Sequence, residues 1–116
     1  MLKAAVDDQE NCSRRQNIRV IGIPEGKEDT NPTAFMGSFL KEVLGEETFI
    51  DQPVIDRAHR TLATKPSPGK PPRAMLVRLH YYQTKEMILR VSRKRGQLSY
   101  KGKKIHIFPY HSAALA

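Results

Sequence analysis

Cationic side chains of this sequence are concentrated in residues 73–104, where their spacing could bind a polyanion. Read in order, this stretch predicts a strand, a helix with a basic last turn, and a hairpin. Such an arrangement would bring charges from three elements onto one small surface. Arginine and lysine grouped in this way bind the phosphates of nucleic acids. The cations in question are Arg73, Arg78, Arg93, Lys94, Arg95, Lys101, Lys103 and Lys104.

Charge is divided unevenly along the chain. The 116 residues carry a net charge of +8, with a sequence pI of about 9.9. Residues 57–104 hold fourteen Lys and Arg against the one acid Glu86, a net charge of +13, whereas residues 1–56 carry −5. This clustering favours a nucleic acid or an anionic membrane surface as partner over a small acidic substrate. A solvated surface of mixed sign is the alternative, but the second half lacks that mixing.

Patterns for catalysis and for metal binding are weak. The four histidines lie on different predicted elements without close ligand spacing, so we expect no metal site and no cofactor. No glycine-rich phosphate loop follows the first strand. Glu86 is predicted to cap a helix, so a nucleophile in the basic half would lack its base and orienting acid. We therefore expect that this protein is not an enzyme. The best enzymatic alternative is a ferredoxin-like phosphatase in which Arg19 holds a phosphate.

Cysteine content and hydropathy indicate the compartment. Cys12 is the one cysteine, which excludes an internal disulfide and fits a reducing environment. No apolar run approaches the roughly 20 residues that span a bilayer, and the acidic N-terminus does not resemble a signal peptide. We expect a soluble, intracellular protein without a membrane partner.

Residues 1–16 allow two interpretations. Apolar and small side chains at a and d spacing suggest a short helix, the last two turns of a coiled coil; a disordered tail is the alternative, since so short a helix is marginal alone. Because Gln9 lies in the seam, we expect this chain to be monomeric at micromolar concentration. Residues 17–110 are predicted to form the domain and residues 111–116 to begin a linker. The seam positions are Leu2, Ala5, Gln9 and Cys12.

The first half of the domain predicts a strand and a helix. In residues 17–23, alternation turns Ile18 and Val20 towards the core and Arg19 outwards. Asn31 followed by Pro32 predicts the start of a helix, and Gly45 predicts its end. The apolar face of that helix consists of Phe35, Phe39, Leu40 and Val43.

A second strand is predicted over residues 54–60, but the sequence does not decide which of its side chains point towards the core. Arg57 and Arg60 can share the open face only if a bulge intervenes, and the sequence leaves this open. Residues 61–72 contain four prolines and predict an exposed loop without regular structure.

The remaining elements repeat the strand and helix pattern. In the third strand, residues 73–79, Met75, Val77 and Leu79 point inwards, whereas Ala74, Leu76 and Arg78 point outwards. Thr84 is the predicted N-cap of the second helix, and Gly96 ends it. A tight turn at Lys101 and Gly102 leads to a closing strand over residues 105–108.

This order of elements predicts an α+β fold, a ferredoxin-like βαββαβ sandwich of the RNA recognition motif type. Its four-stranded antiparallel sheet has two helices on one face and leaves the other face open. Ordinary domains of this type carry aromatic residues on the first and third strands for stacking bases. Here those positions hold Arg19, Ala74 and Leu76, so we expect that platform to be missing. The tyrosines near strand ends, expected to be rim residues, are Tyr81, Tyr82, Tyr100 and Tyr110.

Four runs, residues 10–25, 55–60, 72–79 and 85–102, together resemble the first-open-reading-frame proteins of LINE-class retrotransposons. The resemblance implies a trimeric coiled coil before a non-standard RNA recognition motif, with a smaller C-terminal domain after it. It also implies binding of single-stranded RNA and DNA, packaging of the element's RNA into cytoplasmic ribonucleoprotein particles, and nucleic-acid chaperone activity. Nuclear entry is left open.

Thirteen basic residues are predicted to contact nucleic acid. The alternative function is a protein-interaction module that docks an acidic partner on the open sheet or on the basic helix. Basic residues that match the family are Arg14, Arg15, Arg19, Arg57, Arg60, Arg73, Arg78 and Arg95. The complete predicted set is Arg14, Arg15, Arg19, Arg57, Arg60, Arg73, Arg78, Arg93, Lys94, Arg95, Lys101, Lys103 and Lys104.

Overall fold

Five strands and two helices are distributed over residues 16–110, which are the residues that this computed structural model describes. The class is α+β, as predicted. The predicted coiled coil and linker, together with Arg14 and Arg15, lie outside the described residues. The elements are β1 (Asn17–Ile21), α1 (Pro32–Leu44), a 3-10 turn (Glu46–Thr48), β2 (Ile55–Arg60), β3 (Met75–Leu79), α2 (Tyr82–Arg95), β4 (Leu98–Tyr100) and β5 (Lys103–Pro109).

The strands form one antiparallel sheet of five strands in the order β2-β3-β1-β5-β4. The predicted count of four strands was wrong, because the hairpin contributes an edge strand of its own. Lys101 and Gly102 have φ values of 47° and 83°, the left-handed conformation that two-residue hairpin turns require. The turn therefore pairs β4 with β5, and Leu98 and Tyr100 are buried in the core.

Side chains from one face of the sheet and from both helices form a single hydrophobic core. Ile18 and Val20 on β1 are fully buried while Arg19 between them is exposed, which confirms the predicted alternation. Helix α1 contributes Phe39, and α2 contributes Ile88. We call the opposite side of the sheet, which the helices leave uncovered, the outer face.

The two helices differ in how well their starts could be predicted. Helix α1 begins as expected: the Asn31 side chain accepts a hydrogen bond of 3.2 Å from the Ala34 N–H, and the helix ends before Gly45. Helix α2 begins at Tyr82, so the predicted N-cap at Thr84 was wrong. Thr84 lies inside the first turn, where its N–H donates to the Tyr81 carbonyl at 3.1 Å. Gly96 ends α2 as predicted.

A bulge in β2 decides which of its arginines reaches the outer face. The register with β3 shifts between Ile55 and Arg57, after which Arg57 pairs with Arg78 and Arg60 pairs with Met75. Because the bulge precedes Arg57, the two arginines of β2 point to opposite faces. Arg57 is exposed on the outer face, and Arg60 is 8% exposed on the core side.

Gly22 lets the end of β1 approach the start of β5 closely. Its φ is +113°, and a Cβ atom there would lie 2.1 Å from the carbonyl oxygen of Lys104. Only glycine fits this contact, which fixes the basic hairpin against the central strand. Neither helix of the described residues is long and apolar enough to cross a membrane.

Candidate nucleic-acid interface

Four side chains form a row across the outer face, which we call the Arg19 row. Backbone register places His59 opposite Leu76, Leu76 opposite Arg19, and Arg19 opposite Phe108. His59 and Arg19 are exposed, and Phe108 is 47% exposed. Directly opposed side chains on antiparallel strands have Cβ atoms about 5 Å apart. The centre of the face therefore presents a cation between an apolar side chain and an exposed ring.

A second row, the Arg78 row, runs parallel to the first. Arg57 lies opposite Arg78, Arg78 lies opposite Asn17, and the Tyr110 N–H donates to the Asn17 carbonyl at 3.1 Å. A cleft of about 240 Å³ is lined by the four residues of this row and by neighbours that include His59. Like charges directly opposite on paired strands destabilise a sheet, so the Arg57 and Arg78 pair costs stability.

Aromatic side chains lie on the outer face after all, on the closing strand. Ile105 and Ile107 are buried, so His106 and Phe108 between and after them point outwards. Their rings are nearly parallel, at 7°, with centroids 6.1 Å apart. Neither residue belongs to the predicted set, because stacking side chains were expected on the first and third strands. The alternation of isoleucines in β5 was the signal that could have found them.

One carboxylate lies beside the Arg78 row. Asp56, the residue at the bulge, has its two oxygens 3.8 Å from Arg78 Nε and 2.9 Å from His80 Nδ1. At 3.8 Å the contact with Arg78 is a loose ion pair without a hydrogen bond. The Arg78 side chain is 35% exposed. Asp56 therefore lowers the positive potential of the row without occupying the guanidinium.

Arg60 belongs to a different environment. Its guanidinium donates five hydrogen bonds, at 2.7–3.0 Å: two to the Glu28 carboxylate and three to carbonyls of Ile23, Pro24 and Arg73. These use every N–H that a guanidinium has. The two bonds to the Glu28 carboxylate lower the pKa of Glu28 below its ordinary value. Arg60 thus ties the segment after β1 to β2 and is not a member of either outer-face row.

Arg73 makes a similar contact next to it. Its Nε and Nη2 donate to the two oxygens of Glu25 at 3.1 and 2.9 Å, and its backbone N–H donates to the same carboxylate at 2.8 Å. These hydrogen bonds lower the pKa of Glu25 to about 2, and the Glu25 carboxylate raises the pKa of Arg73. Two predicted contacts, Arg60 and Arg73, therefore form a structural ion-pair cluster with Glu25 and Glu28.

The family of the chain follows from comparison with known sequences. Residues 15–109 match the model of a family described as the L1 transposable element RBD-like domain. The chain belongs to this L1 RBD-like family. The resemblance to LINE-class proteins seen in the sequence is thereby confirmed.

Two curated mouse proteins are similar to this L1 RBD-like domain. LINE-1 type transposase domain-containing protein 1 of Mus musculus is 34% identical over 109 residues, and LINE-1 retrotransposable element ORF1 protein of Mus musculus is 28% identical over 102 residues. The matches cover 90% and 86% of this chain. They cover 13% and 29% of the two relatives, so the chain spans less than a third of either protein.

Other predicted contacts of the L1 RBD-like domain are spread over its edges. Arg93 and Lys94 are exposed at the end of α2, and Arg95 Nη2 lies 3.0 Å from Glu47 Oε1. Because α2 packs on the core side of the sheet, these three cations lie away from the outer face. The basic end of α2 is therefore a separate surface from the two rows.

The three lysines of the hairpin lie in three different environments. Lys104 extends the outer face, since it is exposed and lies opposite Ser99. Lys101 Nζ lies 5.5 Å from the centre of the Tyr100 ring. Lys103 lines an open cleft of about 620 Å³ together with Lys65 and Lys70 of the proline-rich loop. The loop lysines, absent from the predicted set, thus share a surface with the hairpin.

Metal binding has no support in the described part of the L1 RBD-like domain. Within residues 16–110, no group of three or more His, Cys, Asp or Glu residues is placed to hold an ion. His80 and Asp56 form a pair, and His106 stacks on Phe108.

Proposed function

We propose that this domain binds single-stranded nucleic acid, RNA and DNA, across the outer face of its sheet and catalyses no reaction on it. The observation that carries the proposal is the pair of parallel rows on that face. Arg19, Arg57 and Arg78 lie there with the exposed ring of Phe108. Sequence-tolerant binding of single strands requires this combination of cations and stacking surfaces.

Each part of the face suits one part of a single strand. Phe108 offers a flat ring for a base, with the parallel ring of His106 as its neighbour. Arg19, directly opposite Phe108, can contact a phosphate or stack on a base, because its guanidinium is both charged and planar. Lys104 extends the positive potential along β5. The strand we propose therefore crosses β5, β1 and β3.

The opposed arginines of the Arg78 row support a functional role for that row. A folded sheet gains nothing from placing Arg57 directly opposite Arg78. A phosphate or a base between them would convert the repulsion into two favourable contacts. By contrast, Arg60 and Arg73 already use their guanidinium groups within the protein, so we propose that they support the fold and do not contact the strand.

We further propose that the sheet is a variant of the RNA recognition motif type. The strand order β2-β3-β1-β5 with both helices on one face supports this, and β4 is then an added edge strand. In a longer protein this domain would package and chaperone a retrotransposon RNA in cytoplasmic ribonucleoprotein particles. An upstream coiled coil would form the homotrimer, whereas the present chain alone is monomeric. The family and the printed name of the mouse ORF1 protein support this wider role.

A titration tests the core of the proposal. A fluorescent single strand of about 20 nucleotides is titrated with the chain at several salt concentrations, and log K should fall with a slope of about 0.7 per phosphate contacted. An affinity independent of salt contradicts the proposal. An acidic polypeptide added as competitor tests the protein-docking alternative, which requires it to bind more tightly than the oligonucleotide does.

A further inference from the structure

Two buried polar atoms of the Arg78 row have no hydrogen-bond partner within the described residues. They are Asn17 Oδ1, an acceptor, and Arg78 Nε, a donor. Asn17 and Arg78 lie directly opposite each other on β1 and β3, and both line the cleft of about 240 Å³. The two residues that carry a donor and an acceptor without partners therefore line the same small cleft.

Unpartnered polar atoms are costly in a folded protein. A buried donor or acceptor that has lost water without gaining a partner destabilises the fold. Asp56 does not relieve the cost at Arg78, because its carboxylate is 3.8 Å from Nε, beyond hydrogen-bond distance. A ligand that offers one donor and one acceptor to the cleft would satisfy both atoms.

The cleft has the size and the walls for one base. At about 240 Å³ it lies below the range of roughly 300–1,000 Å³ that is typical of pockets for drug-sized ligands. Tyr110 and His59, which carry planar rings, are among its lining residues. Arg57, also in the lining, adds a second cation.

We propose that this cleft is a subsite for one unstacked base of the bound strand. An N–H of the base donates to Asn17 Oδ1, and an acceptor of the same edge receives the N–H of Arg78 Nε. Each of the four bases presents a donor next to an acceptor, but the order and the spacing differ. The subsite therefore makes binding depend on the base. This inference rests on the proposed function and adds a selective position to it.

The test compares homopolymers of equal length. RNA and DNA strands of about 10 nucleotides, each of a single base, are titrated with the wild-type chain and with Asn17→Leu. Leucine keeps the size of the side chain and removes the acceptor. Gln83→Leu is the matched control, because Gln83 is an exposed amide on α2, away from the outer face. Thermal melts of all three proteins show that they are folded.

For the wild type we expect affinities that differ by about fivefold or more between the best and the worst base, the effect of one well-formed pair of hydrogen bonds to a base edge. In Asn17→Leu the spread should fall below about twofold, by loss of affinity for the preferred base. Gln83→Leu should retain the wild-type spread.

Other outcomes overturn the inference in separate ways. If the wild type binds every homopolymer equally with a normal salt dependence, the proposed function survives and the base subsite does not. If Asn17→Leu removes a difference between RNA and DNA and leaves the spread among bases, the cleft contacts the ribose hydroxyl instead. If no oligonucleotide binds, the proposed function itself fails.

Discussion

Arg19 and Phe108 lie directly opposite each other across the β1–β5 pair, in the centre of the outer face. A phosphate contact and a base stack are thereby available at one point of the sheet. The exposed ring lies on the closing strand and not on the first or third strand, where stacking residues were expected. This relationship determines which substitutions should affect binding and which should not.

Phe108 should contribute by stacking. Phe108→Leu keeps an apolar side chain and removes the ring face, so affinity for a single strand should fall by about 1–3 kcal/mol. Since no charge changes, the slope of log K against log salt should stay the same. Fluorescence anisotropy at three salt concentrations measures both quantities. Tyr81→Leu, which removes an exposed ring at the start of α2, should leave the affinity unchanged; equal losses from both variants would show that the outer face is not the binding surface.

Arg78 should depend on its shape as well as its charge. Arg78→Lys keeps the charge but loses the planar guanidinium group and its paired N–H donors. Affinity for a single strand should therefore fall by about 1 kcal/mol or more. Lys70→Arg should change little, because Lys70 is exposed on the proline-rich loop and acts as a point charge. The deciding comparison is Arg78→Ala with Lys70→Ala at matched salt, with thermal melts to exclude unfolding. Equal losses would mean that net charge alone determines binding.

Asp56 should oppose binding. Its carboxylate is 3.8 Å from Arg78 Nε, so Asp56→Asn removes a negative charge beside the proposed phosphate contact. The amide can still hydrogen-bond to His80. We expect affinity to increase by about 0.5 kcal/mol, the size of a surface ion pair. Asp51→Asn makes the same change of charge in an exposed loop and should increase affinity less. An equal gain would show that Asp56 affects binding only through the net charge of the protein.

Acid should weaken the fold through the ion-pair cluster. The pKa of Glu25 is lowered from 4.5 to about 2 by hydrogen bonds from Arg73, and the pKa of Glu28 is lowered by Arg60. A carboxyl with a lowered pKa stabilises the fold above its ordinary pKa, and that stability is lost as pH falls towards the lowered value. Thermal melts should therefore show a falling Tm between pH of about 4.5 and about 2. Glu25→Gln should flatten this fall, and Glu46→Gln, at an exposed carboxyl, should not.

Local patterns in the sequence predicted the elements whose signals are local. Asn31, Pro32 and Gly45 bounded α1 correctly, and the alternation in β1 turned Arg19 outwards. The start of α2 was predicted wrongly from Thr84, because the helix begins at Tyr82, directly after β3, without a side-chain cap. The fifth strand was missed because β4 has three residues and depends on its pairing with β5.

The sequence could not show which arginines lie on the outer face and which form the ion-pair cluster. A bulge of one residue reverses the orientation of every later side chain in a strand, so the face of Arg60 depends on where the bulge lies. Its partner Glu28 is 32 residues away in the chain, and no short-range pattern joins them. Phe108 differs, because the alternation of Ile105 and Ile107 with His106 and Phe108 in the sequence is a local signal from which its outward orientation could have been predicted.

The same substitution at Arg57 and at Arg60 separates effects on the stability of the fold from effects on nucleic-acid binding. Each is changed to methionine, which removes the charge and keeps an unbranched side chain. Arg60→Met removes five hydrogen bonds and leaves the Glu28 carboxylate without its main partner, so we expect a loss of about 3 kcal/mol or more in the free energy of unfolding. In a domain of this size that lowers Tm by about 12 °C or more.

Arg57→Met should give the opposite result. Removing one of two opposed arginines relieves repulsion on the outer face, so Tm should stay the same or rise slightly. Affinity for a single strand should fall, and the salt slope should decrease by about 0.7, because one phosphate contact is lost. Both variants are measured at a temperature where Arg60→Met remains folded. If Arg60→Met then weakens binding as much as Arg57→Met does, Arg60 contacts the strand and the assignment of the two arginines to opposite faces is wrong.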